Sequence, residues 1–123
     1  LRIYFQTFQL SKEARMKNCD ILFLPGGTFL GTFRPFVTMC RNMLPYEVKE
    51  RNRYKFRLRI IKLLILKVIQ LATFKRADGI IFLTKYARDR IKNFIPDINQ
   101  KSVIIPHGIN KLYFTKTRRN TNW

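Results

Sequence analysis

Ser102-Val-Ile-Ile-Pro-His-Gly-Ile-Asn110 joins a short apolar run, a forced stop, a glycine and a polar residue. Val103, Ile104 and Ile105 are β-branched and bracketed by polar residues, which predicts a short buried strand. Pro106 has no N–H to donate and ends the ladder. Gly108 permits positive φ or a close approach of backbone to a ligand. In an open α/β sheet, ligands sit beyond the carboxyl ends of the strands. His107, Gly108 and Asn110 are therefore candidate contacts, with a plain strand-to-loop turn as the competing explanation.

The same pattern recurs upstream. Ile80-Ile81-Phe82-Leu83 follows the turn Asp78-Gly79, and Ile21-Leu22-Phe23-Leu24 runs into the breaker Pro25-Gly26-Gly27. Phe36–Cys40 follows Pro35 and leads into the loop Arg41-Asn42-Met43-Leu44-Pro45. Strands apolar throughout, without alternation, predict a sheet covered on both faces. Thr84 suits the N-cap of a helix reaching about residue 94, with Ala87, Ile91 and Phe94 as its apolar face and Pro96 as its stop. Leu1, Tyr4, Phe5 and Phe8 predict a helix within residues 1–17; a strand over Leu1–Phe5 is the alternative. Strands and helices thus alternate. The fold class is α/β, a Rossmann-like open parallel sheet flanked by helices.

A basic stretch enters the longest helical segment. Lys49, Arg51, Arg53, Lys55, Arg57 and Arg59 alternate with other residues and leave no clean apolar side. From Leu58 to Phe74, Arg59, Lys62, Lys67 and Gln70 fall within an arc of roughly 140° and nearly everything else is apolar. So thin a polar strip predicts a mostly buried core helix. The two interrupting lysines argue against a membrane span. A membrane-surface helix is the rival, with Lys49, Arg51, Arg53, Lys55 and Arg57 facing an anionic bilayer.

Net charge is +18, from 25 basic and 7 acidic side chains, which calls for anionic partners. Nucleic acid, an anionic membrane and phosphorylated small molecules qualify. The cations flank apolar helix rather than a nucleic-acid-reading motif with aromatic platforms, which disfavours nucleic acid. Cys19 and Cys40 match no metal-ligand spacing and read as free thiols of a reducing compartment. Pro25-Gly26-Gly27-Thr28 is a candidate phosphate cradle, although it lacks the spacing and lysine of a P-loop. Arg41 and Asn42, at a strand's carboxyl end, are candidate contacts to anionic groups and hydroxyls.

Taken together, Ala77-Asp78-Gly79-Ile80-Ile81-Phe82-Leu83-Thr84 and Val103-Ile104-Ile105-Pro106-His107-Gly108-Ile109-Asn110, with Phe114 four residues later, resemble glycosyltransferase family 4. Asp20-Ile-Leu-Phe-Leu-Pro-Gly-Gly27 and Val37-Thr38-Met39-Cys40-Arg41-Asn42-Met43-Leu44-Pro45 add to the likeness, which lies in order and spacing rather than in one motif. Asn110 stands where the family commonly has Asp. Arg41-Asn42 stands where many members have His-Asp, which puts a His-assisted mechanism in doubt.

The resemblance implies a two-domain fold of the glycosyltransferase B type. Residues 1–114 would be the later part of the N-terminal, acceptor-side domain, and 115–123 the start of the interdomain connection or a basic tail. It also implies a retaining transfer of sugar from a nucleotide-sugar donor to a glycan or lipid-linked acceptor in cell-envelope polysaccharide synthesis. No metal or other cofactor would be required. Gly26, Gly27, Arg41, Asn42, Thr84, His107, Gly108 and Asn110 would line the substrate cleft, and the catalytic residues would lie in a missing C-terminal domain. The fragment alone would be inactive. The parent would be cytoplasmic, with peripheral attachment at the inner face of the plasma membrane as an option. The alternative is a basic nucleic-acid-binding or anionic-membrane-binding α/β module without catalysis.

Overall fold

A computed structural model describes residues 9–47 and 57–108. Helix α1 spans Leu10–Met16, strand β1 Leu22–Leu24 and strand β2 Phe36–Cys40, followed by a 3₁₀ turn at Leu44–Tyr46. Helix α2 spans Arg57–Arg76, strand β3 Gly79–Phe82, helix α3 Lys85–Lys92, a second 3₁₀ segment Pro96–Lys101 and strand β4 Ser102–Ile104. The four strands form one sheet in the order β1-β2-β3-β4, with every pair parallel. The parallel α/β architecture expected from the alternating pattern is present.

Strand order follows chain order, so every crossover steps in the same direction. The right-handed rule for such connections then places all of them on one face of the sheet. Burial agrees. Leu24, Phe36, Thr38, Cys40, Ile80 and Phe82 are buried, while their in-between neighbours Val37, Met39 and Ile81 are only partly covered. Phe74 of α2 meets Phe82 edge-on at 6.4 Å, and Phe29 meets Phe36 at 4.9 Å. Ala87 and Ile91 of α3, with Ile98, join the same core. Edge-to-face rings of this kind add about 0.5–1.5 kcal/mol beyond the area they bury.

Three hydroxyls inside this core are paired. The Thr73 hydroxyl accepts from the Phe29 N–H at 2.9 Å and contacts the carbonyls of Ile69 and Phe29 at 2.8 and 3.2 Å. The first of these carbonyls lies one helical turn back. The Thr38 hydroxyl donates to the Leu24 carbonyl at 3.0 Å, tying β2 to β1. Ser11 of α1 accepts from the N–H groups of Thr32 and Phe33 at 3.0 and 3.2 Å, which anchors the β1–β2 connection.

Three expectations are corrected. First, the sheet is not covered on both faces by the described residues. Phe23 and Val103 on the second face are each 50% exposed, and Ile21 and Ile105 are exposed as well. Unbroken apolar strands show which residues are suited to burial, and the described helices supply only one covering layer. Second, β4 is not buried as its β-branched run suggests. It is an edge strand, with only β3 beside it among the described residues.

Third, α2 is not mostly buried. Only Gln70, Thr73 and Phe74 are buried along it, while Leu58, Ile61, Leu64, Ile65 and Val68 are exposed. Of the polar strip, Lys67 and Gln70 turn toward the protein, while Arg59 and Lys62 are exposed. Gln70 is buried beside Gly27, and the Lys67 ammonium lies 4.1 Å from the centre of the Phe94 ring. A lysine stem can pack along apolar surface while its ammonium takes a cation–π contact, so a cation need not mark the solvent side.

Of the other expectations, residues 1–8 lie outside the described residues, as do Lys49, Arg51, Arg53, Lys55, Asn110, Phe114 and all of 115–123. Arg57 is described, and it opens α2 on an exposed side.

Candidate functional site at the carboxyl edge of the sheet

Because all four strands run the same way, their following loops come out at one edge. That edge carries Pro25-Gly26-Gly27 after β1, Arg41-Asn42 after β2, Leu83-Thr84 after β3 and Ile105-Pro106-His107-Gly108 after β4. Adjacent strands are about 4.8 Å apart, so the row from Gly26 to His107 spans roughly 14 Å. Seven of the eight nominated contact residues therefore share one rim. The eighth, Asn110, lies outside the described residues.

The rim residues differ in how free they are. Gly27 is buried with φ +70°, and a Cβ there would sit 3.1 Å from the Met39 carbonyl oxygen and 3.4 Å from the Gln70 amide nitrogen. Its glycine is required by backbone conformation and packing against β2 and α2. Gly26 and Gly108 are open: a Cβ on either meets nothing within 4 Å among the described residues, and neither has positive φ. The positive φ that Gly108 permits is not used.

Asn42 Oδ1 accepts from the Leu44 N–H at 3.0 Å and so closes the turn into the 3₁₀ segment. This side-chain turn is a common use of Asn, and it fixes the amide's orientation at the rim. Thr84 caps α3 as expected, its hydroxyl oxygen accepting from the Ala87 N–H at 3.1 Å. Arg41 and His107 are exposed. The rim thus presents one guanidinium, one imidazole, an oriented amide and two unobstructed glycines to solvent. Such a set can hold an anionic or polyhydroxylated ligand; it contains no paired carboxylates.

Beneath the rim, Cys40 ends β2 facing inward. Burial pushes its thiol up to about 12, so it is an unreactive core residue. Tyr46 is buried too, and burial raises its phenol well above the ordinary tyrosine value. Its hydroxyl has no hydrogen-bond partner among the described residues, and neither has the buried Gln70 Oε1.

A cavity of about 250 Å³ opens beside the 3₁₀ turn, lined by Leu44, Arg59, Lys62 and Leu63. None of these was singled out as a contact from the sequence. The available signal was the i, i+3, i+4 spacing of Arg59, Lys62 and Leu63, which puts two cations and an apolar side chain on one helical face. No group of three or more His, Cys, Asp or Glu able to hold a metal occurs among the described residues. No described helix is long and apolar enough to cross a membrane.

Asp78, part of the motif that carries the family resemblance, is at the opposite edge. Its carboxylate accepts from the Arg34 guanidinium and, at 3.0 Å, from the Phe36 N–H. The Arg34 hydrogen bond holds this carboxyl below its usual value. Asp78 is a clasp between β2 and β3, remote from the rim. No family model, curated protein or solved structure matches this chain.

Proposed function

We propose that the chain is the acceptor-side portion of a retaining glycosyltransferase, which moves a sugar from a nucleotide-sugar donor to a glycan or lipid-linked acceptor. The observation that carries this reading is the shared rim. A parallel sheet gathers Gly26, Gly27, Arg41, Asn42, Thr84, His107 and Gly108 at its carboxyl edge, where ligands of open α/β sheets bind. The sequence likeness to glycosyltransferase family 4 gives that rim a chemistry. In this reading a second domain faces the rim, binds the donor and supplies the catalytic groups, while this chain holds the acceptor.

Arg41 is the anchor for an acceptor phosphate or acidic sugar, since its planar guanidinium can engage two oxygens at once. The Asn42 amide and His107 imidazole address hydroxyls. No metal enters the scheme. The second face of the sheet, half-open among the described residues, suits a reading in which further chain packs over Phe23 and Val103. The parent would work in the cytoplasm, at or near the inner face of the plasma membrane.

The test is release of nucleoside diphosphate by the full-length protein across a panel of nucleotide sugars and acceptors. Release that depends on acceptor, and an acceptor KM raised at least tenfold by Arg41→Ala, is expected. A full-length protein that binds no nucleotide sugar in calorimetry would remove the reading.

A further inference from the structure

We infer that the outer face of α2 is a docking surface for an anionic lipid bilayer. Leu58, Ile61, Ile65 and Val68 are 74, 51, 54 and 67% exposed. At 100° per residue they fall within about 80° of one another, with Leu64 on the border, so they form one stripe along the helix. The stripe lies opposite Gln70, Thr73 and Phe74, the residues that fix α2 to the core. A surface helix ordinarily turns its apolar side inward; here an apolar side faces out.

Charge selects the occupant. Between Arg57 and Arg76 the helix has six cations and no Asp or Glu. Arg57 and Lys75 border the stripe on one side at its two ends, and Lys62 borders the other; all three are exposed. The surface therefore asks for apolar matter ringed by anions. A second copy of this chain offers the apolar matter, but brings another six cations and a net charge of +18 against it. Nucleic acid offers anions without apolar depth. The headgroup region of an anionic bilayer offers both, and a helix lying in its plane buries such a stripe by about 5–10 Å. No described helix is suited to crossing, so the helix lies on the membrane. Arg57, nominated from the sequence, thereby joins Lys62 and Lys75 at the border of the contact, and the apolar stripe is its centre. This inference stands apart from the transfer reaction and is tested without any sugar.

The experiment is co-sedimentation of full-length protein with phosphatidylcholine vesicles, with and without about 30 mol% phosphatidylglycerol. Partition into the anionic vesicles is expected. The triple variant Ile61→Ser, Ile65→Ser, Val68→Ser is expected to lower it at least tenfold. Lys62→Gln with Lys75→Gln should lower it several-fold, with the effect vanishing at high salt. As a second readout that preserves the stripe, an environment-sensitive dye on Ile65→Cys should shift to the blue on vesicles. Partition unchanged by the triple variant, a dye that does not shift, or a wild-type dimer that dissociates in the triple variant and ignores vesicles would each overturn the inference.

Discussion

The two ends of the sheet are built differently. At the amino end, polar groups are spent on the fold. Asp78 joins Arg34 to the Phe36 N–H, and the Lys101 ammonium donates to the carbonyls of Lys75 and Ala77 at 2.7 and 3.0 Å. The Arg76 guanidinium donates to the Gly31 carbonyl. At the carboxyl end, Arg41 and His107 are exposed, and Gly26 and Gly108 have no described residue within reach of an added Cβ. One sequence can carry both because parallel strands divide their loops into two sets: one closes the crossovers while the other is left for ligands. The difference teaches that a charged residue in a motif has to be placed before it is given a role. Asp78 is the charged residue of the Ala77–Thr84 motif and belongs to the structural end.

The sharpest way to break this division is through its exception. Gly27 lies at the carboxyl end but is buried with positive φ, against the Met39 carbonyl. Gly27→Ala should cost about 2 kcal/mol, from left-handed strain and a Cβ that only backbone movement can accommodate. Urea unfolding followed by circular dichroism would measure it. A cost below about 0.5 kcal/mol would mean that the loop is loose and that the carboxyl end carries no structural load. Next in size is Asp78→Ala, which leaves the partly buried Phe36 N–H without its acceptor. The loss should be about 1–2 kcal/mol by the same measurement, nearly all from that amide, because the half-exposed Arg34 pair adds little.

The parallel sheet was legible because four apolar runs of strand length were bounded by breakers or loops, and helix-forming segments separated β2 from β3 and β3 from β4. Thr84 declared its cap by type and position. The outward turn of α2 was not legible, because a helix apolar around most of its girth has no unique inner side. Which side packs was decided by Thr73 bonding to Phe29 and by Phe74 meeting Phe82, contacts made 44 and 8 residues away in the chain. Nor could the runs at Ile21–Leu24 and Val103–Ile105 reveal that the described helices cover only one face. Apolarity marks fitness for burial and does not say which segment supplies the cover. At the rim, the position of Arg41, Asn42 and His107 could be read from strand polarity, whereas the capture of Asn42 Oδ1 by the Leu44 amide depends on the path of the loop.

Acid sharpens the contrast between the ends. The Asp78 carboxyl is held below its unfolded value of about 3.9, chiefly by the Arg34 hydrogen bond. Its stabilisation is therefore complete above about pH 4 and is lost as pH falls through the lower folded value. Asp78→Asn keeps an oxygen for the Phe36 amide and removes the titration. Urea midpoints recorded between about pH 2 and 6 should show a shallower acid decline for the variant than for the parent. Identical slopes would mean that the clasp does not titrate in the folded protein and that the amino end owes its order to backbone pairing alone.

The smallest expected effect is the most informative about the rim. Arg41→Ala and His107→Ala remove exposed side chains, so each should change stability by no more than about 0.5 kcal/mol. Asn42→Ala should cost somewhat more, since the Leu44 amide loses its acceptor. A ligand-binding edge is defined by groups whose removal hurts binding and spares the fold. If Arg41→Ala instead unfolds the protein as readily as Asp78→Ala, the guanidinium is holding structure that the described contacts do not contain. The carboxyl end would then be a second structural edge with no group to spare for a ligand.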